Sequence, residues 1–119
     1  HEITLSGHPP QPYTVPLQQL MAEIQQNPSV DWNSSVLAKR LNVSTRKLYR
    51  IFNTEYGMPP KEMVIKQRIA QAAEQLARTT TPIGKIAESL GYQSLYSFSN
   101  LFKKHTGMRP TAYRKKFEH

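Results

Sequence analysis

Apolar side chains recur at helical spacing along most of this chain, and each stretch stops at proline, glycine or asparagine. Leu17, Leu20, Met21 and Ile24 fall at i, i+3, i+4 and i+7, with Pro16 in the first turn and Asn27-Pro28 as the stop. A second stripe, Val36, Leu37 and Leu41 with Ala38 beside it, follows Asn33 and Ser34, either of which can cap it, and breaks at Asn42-Val43. Ser44 is a good N-cap for a third helix, Thr45 to about Tyr56, with Leu48, Ile51 and Phe52 facing inward and Gly57 ending it. From Pro60 to about Thr79 there is no glycine and no further proline, and Met63, Val64, Ile69, Ala73, Leu76 and Ala77 recur near the helical period, which predicts one long helix. Thr81 as cap and Pro82 at the first position open a fifth helix, with Ile83, Ile86, Ala87 and Leu90 apolar and Gly91 at its end. Ser94 then caps a sixth, in which Phe98, Leu101 and Phe102 point inward until Gly107, and Pro110 opens a last short helix toward Lys116. The pattern predicts an all-α chain of about seven helices.

The pattern also repeats. Leu48, Ile51, Phe52, Gly57, Met58 and Pro60 are matched at an offset of 50 by Phe98, Leu101, Phe102, Gly107, Met108 and Pro110. Leu37-Ala38 and Leu41 match Ile86-Ala87 and Leu90 at an offset of 49, so the slip of one residue falls in the turn between the paired helices, where it disturbs packing least. Two helix-turn-helix units are therefore expected, the first at 16–59 and the second at 80–119, joined by a connecting helix at 60–79. Each unit has too few apolar residues for a core of its own, and both should lean on the connecting helix. Residues 1–15, with Pro9, Pro10, Pro12 and Gly7, suit a linker or a processing remnant. The His1 start further suggests a fragment of a larger protein.

Composition narrows the partner. The 119 residues carry 16 Lys and Arg against 8 Asp and Glu, a net charge of +8, so a polyanion is the natural ligand: nucleic acid first, an anionic membrane second. Without cysteine there is no disulfide, thiol catalysis or Cys-containing zinc site. His1, His8, His105 and His119 lack ligand spacing, and neither a metal nor a cofactor is expected. No catalytic grouping or phosphate-cradling glycine loop appears, which argues against an enzyme. No apolar run is long enough for a membrane span and no signal peptide opens the chain, so a cytoplasmic location is expected.

With Leu48, Ile51 and Phe52 inward, the 100° step of a helix places Arg46, Tyr49, Arg50 and Asn53 on the outer side. Arginine presents a fork to guanine O6 and N7, and asparagine matches adenine N6 and N7, each good pair discriminating by ~1–3 kcal/mol. In the second unit the same construction exposes Tyr96, Ser99, Asn100 and Lys103, with Ser97 and Leu95 nearer the flanks. That face holds fewer guanine readers, and it should depend more on backbone, adenine or thymine-methyl contacts. Lys39, Arg40, Lys47, Lys85, Lys103, Lys104 and Arg114 are candidate phosphate contacts, as are the helix starts at Ser44 and Ser94. Phe52, Phe98, Phe102 and Trp32 sit at core spacing rather than on a base-stacking platform.

The stretch from Val36 to Phe117 resembles the DNA-binding domain of the AraC/XylS family of bacterial transcription regulators. The resemblance rests on Ile83-x-x-Ile86-Ala87-x-x-Leu90-Gly91-Tyr92, Ser97-Phe98-Ser99-x-x-Phe102-Lys103-Lys104 and Gly107-x-x-Pro110-x-x-Tyr113-Arg114. The first half adds Leu37-Ala38, Ser44-x-x-x-Leu48-x-Arg50-x-Phe52, Gly57-x-x-Pro60 and Arg68-Ile69. It implies two helix-turn-helix subdomains on one long helix and control of promoters through double-stranded DNA. The base contacts it implies are Arg46, Tyr49 and Arg50 in the first unit and Tyr96, Ser97 and Asn100 in the second. It implies RNA polymerase as a partner of an activator, and dimerisation through an N-terminal domain that this sequence does not contain. Three positions depart from the family pattern: Met63 where an aromatic is frequent, Tyr92 where Phe is usual and Asn100 where Arg is frequent. Non-specific DNA packaging and membrane binding are the competing readings of the charge.

Overall fold

A computed structural model of the chain describes residues 13–118, and these form seven helices with no strand among them. They are α1 (Thr14–Gln26), α2 (Ser34–Leu41), α3 (Thr45–Tyr56), α4 (Pro60–Arg78), α5 (Ile83–Ser89), α6 (Leu95–Thr106) and α7 (Pro110–Lys115). Positions 13–15 of the expected linker at 1–15 belong to the fold, since α1 begins at Thr14 and Tyr13 packs against the first core, and positions 1–12 lie outside the described residues.

Local chemistry accounts for most boundaries. The Asn33 side chain accepts from the Val36 N–H at 2.9 Å, which settles the choice of α2 cap between Asn33 and Ser34. Ser44 and Ser94 accept from the N–H groups of Lys47 and Ser97 at 3.1 and 3.0 Å. Pro60 and Pro110 open α4 and α7, where a missing N–H costs nothing. The cap expected at Thr81 is not formed. Pro82 adopts an extended ψ of 141°, its carbonyl accepts the first bond of α5, and the helix starts one residue later at Ile83.

The slip in the repeat can now be placed. Asn42 and Gly91 both occupy the left-handed region that ends a helix, with φ of 57° and 92°. Val43 and Tyr92 each donate back to an alanine carbonyl, Ala38 and Ala87 respectively, so the two turns match through Tyr92 and Gln93 is the extra residue before the Ser94 cap.

The core is divided inside α4. Met63 and Val64 complete a first cluster with Leu17, Leu20, Ile24, Trp32, Leu37, Leu41, Leu48, Ile51 and Phe52. One turn later Ile69, Ala72 and Leu76 complete a second cluster with Ile86, Ala87, Leu90, Phe98 and Phe102. Ala72, not the expected Ala73 or Ala77, is the fully buried small residue, and Leu101 is only half-buried. Trp32, Phe52, Phe98 and Phe102 are all core, as their spacing predicts. The two lobes share one rod, and the radius of gyration of 16.8 Å exceeds the ~13.5 Å of a compact chain this long.

A second connection runs beside the rod. Arg68 of α4 donates to the carbonyls of Pro28 and Val30 in the α1–α2 loop at 2.9 and 2.8 Å, while its guanidinium lies 5.7 Å from the centre of the Tyr92 ring. Gly91 lies directly against that loop: a Cβ there would come within 3.0 Å of the Ser29 Cα. Burial pushes the Tyr92 phenol above its ordinary pKa, with the Arg68 charge opposing the rise.

Candidate nucleic-acid interface

Each lobe presents the second helix of its pair with one side buried and the other open. In α3, Leu48 and Phe52 are fully buried and Ile51 nearly so, which turns Arg46, Tyr49, Arg50 and Asn53 outward, all of them exposed. Arg46 and Arg50 form no ion pair or side-chain hydrogen bond among the described residues, so both guanidinium forks face solvent. Tyr49 shares a 3.2 Å hydrogen bond with the Ser34 hydroxyl, which ties its phenol to the start of α2.

In α6, Phe98 and Phe102 face inward, and Tyr96, Asn100 and Lys103 are exposed as expected; Ser97, expected nearer the flank, is exposed, and Ser99, expected on the outer face, is half-buried. Leu95 and Tyr96 are 52% and 77% exposed, so the leading turn of α6 is an apolar face held in water by the fold. Ser97 accepts from the Ser94 hydroxyl at 2.9 Å while donating its N–H to the same cap. Asn100 accepts at Oδ1 from Nη1 of Arg109 at 3.3 Å, and the same nitrogen donates to Ser99 Oγ at 3.0 Å. Tyr49 of α3 and Leu101 and Lys104 of α6 border one open cleft of about 670 Å³ between the lobes, together with Lys61, Arg68 and Tyr92. One flank of each of the two helices thus borders the same cleft beside the rod.

The flanking cations separate by what holds them. Lys39, Lys103 and Lys104 are exposed. Lys47 lies 5.4 Å from the Tyr13 ring centre and Lys85 pairs with Glu88 at 3.7 Å, surface contacts weak enough to exchange for a phosphate. Two arginines are otherwise occupied. Arg114 donates to the carbonyls of Leu76 and Thr79, both at 3.2 Å, and so closes the C-terminus of α4 instead of facing a phosphate. Arg40 is held in an ion pair with Glu23 and lies 5.7 Å from the Trp32 ring centre, joining α2 to α1. No described helix is long and apolar enough to cross a membrane, and no metal-ligand cluster occurs among the described residues.

Residues 37–116, covering both helix pairs and the rod between them, match the family described as a helix-turn-helix domain of the AraC/XylS type. The chain belongs to the AraC/XylS family. The raffinose operon transcriptional regulatory protein RafR of Pediococcus pentosaceus is 32% identical over 92 residues, which are 77% of this chain and 33% of that protein. A putative AraC-like transcription regulator of Streptomyces antibioticus is 35% identical over 92 residues, 77% of this chain and 30% of that protein. The chain spans about a third of the length of these curated relatives. Among solved structures, the DNA-binding domain of the global transcriptional factor AdpA in complex with a target DNA superposes with a TM-score of 0.79 at 26% identity. The match covers 86% of this chain and 92% of that one. The C-terminal domain of AraT, a response regulator from Geobacillus stearothermophilus, gives 0.78 at 33% identity, covering 89% and 88%.

Within this AraC/XylS-family domain, reasoning from spacing missed Arg109. It lies outside either reading helix, in the turn before α7, and only the fold brings it back over α6. A signal was present in the Arg109-Pro110 pair, because a residue before proline is held extended and projects its side chain from a fixed backbone.

Proposed function

We propose that this domain binds double-stranded DNA sequence-specifically, with α3 and α6 in neighbouring major grooves, and thereby regulates transcription from bacterial promoters. One observation carries the reading. Two capped helices, each anchored by a buried inner face and exposed on its outer one, sit on a single 19-residue rod, and one flank of each borders the same cleft. That rod is about 28 Å long at 1.5 Å per residue, close to the ~34 Å between successive major-groove faces. The likeness to a DNA-binding domain solved on its target supports the same conclusion.

In this arrangement Arg46, Tyr49, Arg50 and Asn53 read bases in one groove, and Tyr96, Ser97 and Asn100 read the next. Lys39, Lys47, Lys85, Lys103 and Lys104, with the N–H groups at the Ser44 and Ser94 caps, set the register on phosphates. Residues 16–59 and 80–119 act as the two reading units, with 60–79 between them. In an activator, RNA polymerase is a further partner beside the DNA.

Selection from random duplexes followed by footprinting tests the proposal. The expected result is a protected site covering two adjacent helical turns, bound ~10³-fold or more above random duplex at one fixed salt concentration. Protection of a single turn, or equal affinity for all sequences, overturns it; the latter outcome is that of a packaging protein.

A further inference from the structure

The second reading face has a gap in its chemistry. From Leu95 to Asn100 the α6 sequence is Leu-Tyr-Ser-Phe-Ser-Asn, without one charged side chain, whereas the matching segment of α3 holds Arg46, Lys47 and Arg50. Arg109 occupies that gap. It is the N-cap residue of α7, its backbone is extended at φ −73° and ψ 153°, and its carbonyl accepts the Tyr113 N–H at 2.9 Å. From that fixed base its guanidinium reaches back across the turn to two consecutive residues of α6, Ser99 and Asn100. At the repeat offset of 50, the first lobe has Pro59 in the same place, with no side chain to make this contact.

We infer that Arg109 is the positioning residue for base reading by the second lobe: it holds the Asn100 amide in one orientation, so that Asn100 discriminates adenine. An asparagine pairs with adenine by accepting from N6 at Oδ1 and donating to N7 from Nδ2, so the two ends of the amide are not interchangeable. A free surface amide turns over readily. The Arg109 donor occupies one lone pair of Oδ1 and would clash, hydrogen against hydrogen, with a flipped Nδ2. The second lone pair of Oδ1 and both Nδ2 hydrogens remain available to a base. In solvent such an exposed contact contributes little, but in a closed protein–DNA interface water is excluded and the same hydrogen bond strengthens. Arg109 also brings positive charge to the leading half of this face, where Leu95 to Asn100 hold none.

This inference rests on the proposed DNA reading, and the test separates the two. On the selected site, Asn100→Ala identifies the base pair read by that residue, through the loss of A·T preference there. Arg109→Ala and Arg109→Met, the latter keeping most of the apolar stem, are then measured against all four base pairs at that position and against 7-deazaadenine, which lacks N7. Each Arg109 variant is expected to reduce discrimination at that one pair by about 5-fold or more, within the range of a single bidentate contact. The double variant with Asn100→Ala should discriminate no worse than Asn100→Ala alone, because the two residues act as a unit. If the Arg109 variants weaken all duplexes equally, lower the salt slope by ~1 and are rescued by Arg109→Lys, the residue is a phosphate contact and the inference is overturned. An unchanged preference at that pair, or an Asn100→Ala variant that alters no base pair, overturns it as well. The two-turn footprint stands or falls separately.

Discussion

The two lobes share a scaffold and differ in nearly everything laid over it. Both use a fully buried pair four residues apart, Leu48 and Phe52 or Phe98 and Phe102, a serine cap, a left-handed residue after the first helix of the pair and a glycine after the second. The first lobe packs mainly aliphatic side chains and turns the exposed Arg46 and Arg50 outward. In the second the C-terminal half of α4 takes the place of α1, burying Ile69, Ala72 and Leu76 where α1 buries Leu17, Leu20 and Ile24. This lobe stacks Tyr92, Phe98, Phe102 and Tyr113 ring against ring at 5.3 to 5.8 Å, and draws the cation over its reading helix from the next turn. A repeated backbone therefore does not imply repeated chemistry. The buried positions set how each helix is held, and the outer positions are free to differ because nothing in the core depends on them.

The largest effect should come where the lobes are equivalent. Phe52→Ala and Phe102→Ala each remove a ring that is 0% exposed, and each should cost about 3–5 kcal/mol in urea unfolding. A much smaller cost in one lobe would break the equivalence and mark that lobe as able to collapse around the cavity. Next come the reading faces, where the lobes should diverge. Arg46→Ala or Arg50→Ala is expected to relax base preference by ~1–3 kcal/mol at its own position, more than Asn100→Ala does. The reverse ranking in a selection from random duplexes would place the stronger reader in α6. The smallest effect distinguishes cations that look alike in sequence. Lys39→Ala or Lys104→Ala should lower the salt slope of binding by ~1 and leave unfolding unchanged, whereas Arg114→Ala should lower stability and leave the slope alone.

Most of the fold was legible because helices report their buried face through spacing, and the repeat supplied each assignment twice. Ser44 and Ser94 stood three residues before the N–H groups they accept, so local sequence was enough. The outward position of Arg46, Arg50, Tyr96 and Asn100 followed from the inward one of Leu48 and Phe98. What stayed hidden was the destination of long side chains. Arg114 and Arg40 read as surface cations, but α4 carbonyls and Glu23 claim them, and those partners are distant in sequence. Arg109 was missed for the same reason. Choosing Ala72 over Ala73 depended on which side of α4 the second lobe approaches, and a stripe of small residues does not specify that angle.

The bare backbone of Gly91, seated on Ser29, makes the protein a gauge with a set pitch. With no side chain there to swing aside, and Arg68 fastening the same loop, rotation that presses one reader's turn toward the other lobe is resisted by main-chain atoms. A target with one additional base pair between its halves presents them about 35° out of phase, at 10 to 10.5 pairs per turn. The burden of realigning them then falls on the twist of the duplex, so flexible steps between the halves should be favoured even where no side chain touches them.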